Sequence, residues 1–398
     1  MKKYIFLTPG ISNMGGSEMF TYNKFRYLST HGWDVNVFFC NEANSFLLQE
    51  LERFKENCIP DLIFGISYLS YKEQDKIVKR IVEGVTEEDE VVVESHLFNM
   101  GMWGELIAAR TGAKNILNFM EENIDQVNDE EAAFLEYKMR RYEILNATVK
   151  SFHRYFGSKY KDDYEAYTHE YMRAYCSNVV TRTVHSDIKF SKAVYNILSI
   201  GRIDKPYVLP TLLEVRKFVQ LHPEKTFNIV VIGGAPKVDV ENNIKDLFKG
   251  VTNLKIYMLG YMYPVPANLI DMNDVAIATA NSVLVSSDEG VPTIAIDIHD
   301  NLPIGIYGRT TQNRFSRDNE ESCTVVGLLE DVLIKGLYPK SEPVISDEEK
   351  EMEEVFGKQV DFLKLSPGDA ASYDVRSIYP RRKMILNQTK RFLHKLGF

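Results

Sequence analysis

Short runs of β-branched and aliphatic residues recur along the chain, each followed by a helix-sized stretch, and this alternation runs its course twice. Residues 3–7 read as a strand that enters a glycine-containing loop. Residues 17–31 then read as a helix stopped by Gly32, and residues 35–39 as the next strand. A helix-like stretch from 45 to 56 follows. The run Val91, Val92, Val93 has the continuous apolar character of a strand buried on both faces. Residues 100–111 predict a helix with Gly112 just past its end, and 116–119 another strand. The rhythm weakens from 121 to 180, which reads as mostly helical and rich in tyrosine. It restarts with strands at 195–200, 227–231, 254–258, 275–278 and 293–296. Strands alternating with helices imply parallel sheets covered on both faces. The fold class is therefore α/β, with two Rossmann-like, doubly wound domains. The boundaries fall at 1–190, including the tyrosine-rich section, and at 191–375. A basic amphipathic closing helix occupies 376–398. Within the second domain, Ser346 and Glu349 cap an acidic helix, which Ser366, Pro367 and Gly368 break.

Composition narrows the function classes. Of the 398 residues 44% are hydrophobic and 26% charged, a globular balance, and the net charge is −9. A general nucleic-acid binder would need a basic surplus to neutralise phosphates, so nucleic acid is excluded as a partner. No apolar run approaches the ~18 residues of a spanning helix. The apolar start is ended early by Pro9 and Gly10, and no small-residue cleavage site follows. The expected location is cytoplasmic, with a peripheral place at the inner face of a membrane left open. Cys40, Cys58, Cys176 and Cys323 are far apart in sequence, without CxxC or zinc-finger spacing. They read as idle thiols of a reducing compartment.

In open α/β sheets ligands bind beyond the carboxyl ends of the strands. The loop after the first strand, residues 10–17, has the glycine spacing of a phosphate-binding loop, but Gly16 stands where its lysine belongs. An NTPase is therefore disfavoured, and Gly15 and Gly16 read either as a tight turn or as a close-approach site for a ligand. The strand at 195–200 delivers Gly201, Arg202 and Lys205, a guanidinium fork and a mobile ammonium suited to phosphate. The next strands end in Gly233 with Gly234, and in Gly260 with Tyr261. The strand at 275–278 runs into Asn281 and Ser282, whose amides open a helix that ends at Gly290.

In this order of features the chain resembles the GT-B glycosyltransferases, in particular the large GT4-like group. The resemblance is carried by Gly15-Gly16-Ser17-Glu18, Ile200-Gly201-Arg202 with Lys205, Val231-Ile232-Gly233, Leu259-Gly260-Tyr261 and Glu289-Gly290-Val291-Pro292-Thr293-Ile294. It covers most of the chain, with 121–194 least matched. It implies a hexosyltransferase of retaining outcome that moves a sugar from a nucleotide-diphosphate sugar to a hydroxyl of a glycan or lipid-linked acceptor, in surface polysaccharide synthesis. The implied donor contacts are Gly201, Arg202, Lys205, Gly233, Tyr261, Asn281, Ser282 and Glu289, with no metal and no cofactor. The acceptor side is Gly15, Gly16, His96 and Glu121, the last two as catalytic candidates. The chain departs from the family at its acidic pair, whose places hold Ile277 and Val285, and at 120–122, which read Met-Glu-Glu where a histidine is usual. Two rivals follow: a nucleotide-sugar epimerase on the same scaffold, and a non-catalytic GT-B-like partner of an active transferase.

Two further features stand out. Tyr160, Tyr164, Tyr167, Tyr171 and Tyr175 predict one aromatic helical face, either a packing stripe or a stacking platform for sugars. The tail 381–398 holds six cations and no acid, so its basicity is local. Its Ile385, Leu386, Phe392, Leu393 and Leu396 share a face. Such a helix either lies on an anionic membrane surface or packs its apolar stripe on the first domain; packing is the expected arrangement, with the basic face left free for lipid.

Overall fold

The computed structural model of the chain describes residues 1–12, 15–42, 45–118, 127–145, 149–156, 164–167, 179–235, 238–367 and 372–395. It divides into two compact units, Met1–Tyr175 with Glu348–Phe398, and Cys176–Asp347.

The first unit contains β1 (Lys2–Thr8), β2 (Trp33–Phe39), β3 (Glu90–Ser95), β4 (Lys114–Asn118) and β5 (Ile144–Leu145). All pair in parallel in the order β2-β1-β3-β4-β5. Its helices are α1 (Gly16–Thr30), α2 (Tyr71–Ile81), α3 (Phe98–Thr111), α4 (Asp129–Arg140) and α5 (Val149–Phe156). The central strands are buried almost throughout because helices cover both faces. Helix α2 begins at a capping box in which the Ser70 amide donates to Glu73 Oε2 (2.8 Å) and the Glu73 amide to Ser70 Oγ (3.4 Å). The stretch expected as a helix over 45–56 is instead a 3₁₀ segment, Gln49–Asn57, which buries only Leu51 and Phe54.

The second unit contains β6 (Val180–Thr181), β7 (Tyr195–Ile200), β8 (Phe227–Ile232), β9 (Leu254–Gly260), β10 (Val265–Pro266), β11 (Val275–Ala278), β12 (Thr293–Ile296) and β13 (Pro303–Ile306). Its helices are α6 (Val208–Leu221), α7 (Val238–Leu247), α8 (Ala267–Asp271), α9 (Ser282–Ser287) and α10 (Val325–Leu329). Six strands pair in the order β13-β12-β11-β7-β8-β9, with only β13 antiparallel, and β10 pairs with β6 apart from them. The core gathers Val215, Phe218, Phe227, Ile229 and Leu329.

The chain after Asp347 returns to the first unit, so the second unit ends there rather than at 375. The returning segment runs through α11 (Glu348–Met352), a π turn at Glu353–Gly357, α12 (Lys358–Phe362) and α13 (Arg381–Lys395). Phe356 is fully buried and meets Phe20 edge-on, with ring centroids 5.7 Å apart. Val375, Ile378 and Tyr379 join the core around Trp103 and Phe134. Each such side chain contributes about 1.5–3 kcal/mol of burial. Two polar ties add direction: Ser366 Oγ donates to Glu143 Oε1 (2.7 Å), and the Tyr373 amide to Glu105 Oε1 (2.7 Å).

Helix α13 also belongs to this unit, but the expected orientation is reversed. Asn387 and Arg391 face inward, and Ile385, Leu386, Phe392 and Leu393 are exposed. Leu396 lies outside the described residues. Of the five tyrosines, Tyr164 and Tyr167 sit on a 3₁₀ turn instead of an α-helical face. Tyr164 is buried against Phe152 and Phe156, and Tyr167 lies beside Tyr142. Tyr160, Tyr171 and Tyr175 fall outside the described residues.

Strand order places one topological switch point in each unit. In the first it lies between β1 and β3, in the second between β7 and β11, where successive connections leave in opposite directions. Crevices for ligands form beyond the carboxyl ends of such strand pairs.

Candidate functional site

At the switch point of the second unit the loops after β7, β8 and β9 come together through their backbones, and the loop after β11 meets them through the Ser282 side chain. The Gly201 amide donates to the Ile232 carbonyl (3.0 Å), the Gly233 amide to the Gly260 carbonyl (2.8 Å), and the Ile203 amide to the Gly234 carbonyl (3.2 Å). Gly233 has φ +146°, and a Cβ there would overlap the carbonyl oxygen of Gly201. Gly201 has φ +132°, and a Cβ on it would stand 3.3 Å from Ser282 Oγ. Gly233 requires glycine because the backbone of the neighbouring loop fills the place of a Cβ, and Gly201 because its φ lies in a region that side chains rarely adopt. The ring of Tyr261 lies against Gly234. Gly201, Gly233, Tyr261 and Ser282 are thus neighbours, with Arg202 and Lys205 on the same loop as Gly201.

Three details differ from the sequence reading. Arg202 is already forked onto a carboxylate, with Nε donating to Asp204 Oδ1 (3.0 Å) and Nη2 to Asp204 Oδ2 (2.6 Å). This fork, followed by the Lys205 charge, holds Asp204 below the usual carboxylate range against its partial burial. Lys205 itself makes no ion pair among the described residues. The amides expected to open an anion site are taken as well: those of Ser282, Val283 and Leu284 donate to the carbonyls of Thr279, Ala280 and Asn281 (3.1–3.2 Å). Helix α9 is too short to leave a free first turn, and the Asn281 side chain makes no cap bond.

Glu289 is the third correction. It follows α9, which returns from the carboxyl end of β11 toward the start of β12, so it stands on the side of the amino-terminal strand ends, opposite the switch-point crevice. There it accepts from Arg182 Nη2 (2.7 Å) beside a 430 Å³ cavity lined by His185, Asp271, Lys340 and Glu342. Burial pushes its carboxyl up, against the pull of Arg182.

In the first unit Gly15 precedes α1 and Gly16 begins it, directly after β1. His96 follows β3, so both groups reach the switch point. His96, however, is fully buried, edge-on to the rings of Phe6 and Phe20. Its Nδ1 lies 3.2 Å from Thr8 Oγ1 and its Nε2 3.3 Å from Glu94 Oε1. Glu94 is the hub: its Oε2 accepts from Lys24 Nζ (2.5 Å) and Tyr4 Oη (2.5 Å), and its Oε1 from Asn118 Nδ2 (2.7 Å). Burial alone would push the Glu94 carboxyl up. The Lys24 ammonium, then His96 and Asn118, outweigh it and hold the group well below its usual range. His96 therefore belongs to the wall of the crevice, where it orients its neighbours. Glu121 and Glu122 lie outside the described residues.

Sequence reading overlooked Lys24 and Asp204. Phe20, Lys24 and Leu28 follow one another at helical spacing of four, so a lysine sits on the buried face of α1. That is a readable sign of a buried counter-ion. Asp204 is signalled only by its place two residues after Arg202. The free cysteines are Cys40, Cys58 and Cys323, while Cys176 lies outside the described residues. Among the described residues no group of three His, Cys, Asp or Glu could hold a metal ion.

Two doubly wound units in one chain, with the C-terminal segment returning to the first, define a GT-B fold. Among solved structures the chain is similar to Anabaena HepE in complex with UDP and glucose, with TM-score 0.50 and 11% identity over 100% of both chains. It is also similar to an S. aureus TarM mutant in complex with Fondaparinux, alpha-GlcNAc-glycerol and UDP. That TM-score is 0.51 at 9% identity, covering 92% of this chain and 99% of the other. Likeness at such identity shows the fold alone. No family model and no curated protein matches the chain.

Proposed function

We propose that the chain is a glycosyltransferase that takes a sugar from a nucleotide-diphosphate sugar bound by the second unit. The observation that carries the reading is the backbone-close approach of Gly201 and Gly233 at the β7–β11 switch point, with the Ser282 hydroxyl beside Gly201 and with Arg202 and Lys205 on the same loop. An elongated ligand could lie against the glycines there and place its diphosphate beside two cations. As the glycosidic bond breaks, charge builds on the leaving diphosphate, and those cations lower the barrier by meeting it. Tyr261 and Gly233 would neighbour the base and ribose. Asp204 would yield part of the Arg202 fork to phosphate, and no metal enters the proposal. The similar structures of HepE and TarM hold UDP, which supports the choice of ligand class.

The first unit would present the acceptor hydroxyl, of a glycan or a lipid-linked sugar, near Gly15 and Gly16. In this reading His96 positions Thr8 and the crevice wall, and Glu121 meets the acceptor. Transfer of a hexose with retention, in surface polysaccharide synthesis, completes the proposal. One observation favours a second reading, a non-catalytic partner of an active transferase: Ile277 and Val285, in the places of the acidic pair, are both buried apolar side chains.

A thermal-shift panel of UDP-, GDP- and CMP-linked sugars tests the proposal. A ligand at 100 times its dissociation constant should add about 2.7 kcal/mol of stability. Stabilisation by one nucleotide family, with transfer to an added acceptor, is the expected result. Stabilisation without turnover selects the non-catalytic reading, and no shift with any donor overturns both.

A further inference from the structure

A helix docked on a globular unit ordinarily buries its apolar stripe and shows its polar face to water. Helix α13 does the reverse. It is fastened to the first unit by polar groups: Asn387 Nδ2 donates to Ser67 Oγ (2.8 Å), and Arg391 reaches Asp61 Oδ2 (2.8 Å) and Glu73 Oε1 (2.9 Å). Arg391, together with the Ser70 cap, holds Glu73 down at about 2. Met384 is the apolar residue on that side. Pointing away are Ile385 (65% exposed), Leu386 (55%), Phe392 (63%) and Leu393 (44%). At 100° per residue they fall in an arc of roughly 120°, opposite the docked face. Arg381 borders the arc on one side and Lys383 and Lys390 on the other, Thr389 and a further cation, Arg382, fall within it, and no acidic residue occurs in α13.

We infer that this outward face is a docking surface for an anionic lipid bilayer. Exposed apolar side chains grouped on one helical face mark an interaction surface. The flanking cations, unopposed by any acid on the helix, select a partner that is apolar in depth and negative at its surface. Insertion of apolar side chains plus attraction to anionic headgroups supplies the two signals that stable interfacial binding needs. Among the described residues no helix is long and apolar enough to cross a membrane, so α13 lies in the interface plane. The inference does not depend on the donor reading, since it concerns another surface and another ligand.

The full-length protein is floated with vesicles of phosphatidylcholine alone and with 30% phosphatidylglycerol. Binding is expected only with the anionic lipid and should weaken with salt. Ile385→Ser/Phe392→Ser should lower the partition coefficient at least tenfold at an unchanged melting temperature, because neither side chain is buried. Removing the cations by Arg381→Gln, Lys383→Gln and Lys390→Gln should cost about fivefold each, the equivalent of ~1 kcal/mol per surface charge. This set also decides the matter should the serine variant fail to fold. Absence of binding by the wild type, or undiminished binding by folded variants, overturns the inference. So does a dimer in solution that the serine variant dissociates, which would assign the face to a second copy.

Discussion

Replacing Lys24 by methionine should reverse the pH dependence that Glu94 lends to the first unit. In the wild type both side chains are fully buried and 2.5 Å apart, and Glu94 titrates well below its ordinary range. A depressed carboxyl contributes stability above the unfolded value near 4.3, and that contribution is lost as pH falls below about 4. Lys24 is the largest force opposing burial, so its removal should raise the folded Glu94 above the unfolded value. The variant then carries a penalty at neutral pH that shrinks as pH falls through the raised value. An uncompensated buried charge costs about 3–5 kcal/mol, and relief by one pKa unit returns about 1.4 kcal/mol. Lys24→Met should therefore cost about 3–5 kcal/mol at pH 7.5 and at least ~1 kcal/mol less at pH 5. The two tryptophans, Trp33 and Trp103, both lie in the first unit, so urea unfolding followed by their fluorescence reads that unit by itself. Adding Glu94→Gln should restore stability relative to Lys24→Met alone. A penalty that is constant or grows toward pH 5, or a double variant as costly as the two single variants combined, would refute the assignment of Lys24 as the counter-charge.

At the second switch point, Arg202→Ala should weaken nucleotide-diphosphate binding by about 1.5–3 kcal/mol, the worth of a charge-assisted hydrogen bond. Calorimetry that finds less than ~0.5 kcal/mol removes Arg202 from the diphosphate contact. Gly233→Ala forces a Cβ into the Gly201 carbonyl at φ +146°. Strain and overpacking together should cost about 2–5 kcal/mol, read as faster hydrogen exchange in β7 and β8, with loss of protection by nucleotide. Wild-type exchange in this variant would mean that the two loops do not approach as described.

Much of the fold was legible because its cues are local. Strands such as Phe227–Ile232, Val275–Ala278 and Thr293–Ile296 sit where their apolar runs place them, since a parallel strand covered on both faces must be apolar at nearly every position. The glycines after β7 and β8 were equally readable, because a positive φ at Gly201 and a backbone-close approach at Gly233 disfavour a Cβ. Less of the site was legible. The sequence marks Arg202 as a cation but not that its fork is taken by Asp204, and it marks His96 as a titratable loop residue but not that Phe6, Phe20, Thr8 and Glu94 enclose it. Glu289 shows the same limit. Its sequence neighbours resemble a donor motif, yet the return of α9 carries it to the amino-terminal end of the strands.

By itself, then, the sequence determined the α/β alternation, the two doubly wound units and the loops in which a ligand could be met, all of which follow from the period of apolar residues and the positions of glycine. Only the tertiary structure decided which loops become neighbours, that the segment after Asp347 belongs to the first unit, and which face of α13 looks outward. Strand order, burial and ion pairing join residues far apart in the chain. An amphipathic pattern shows that a helix has two faces, and only the residues waiting at Asp61, Ser67 and Glu73 settle which one is held.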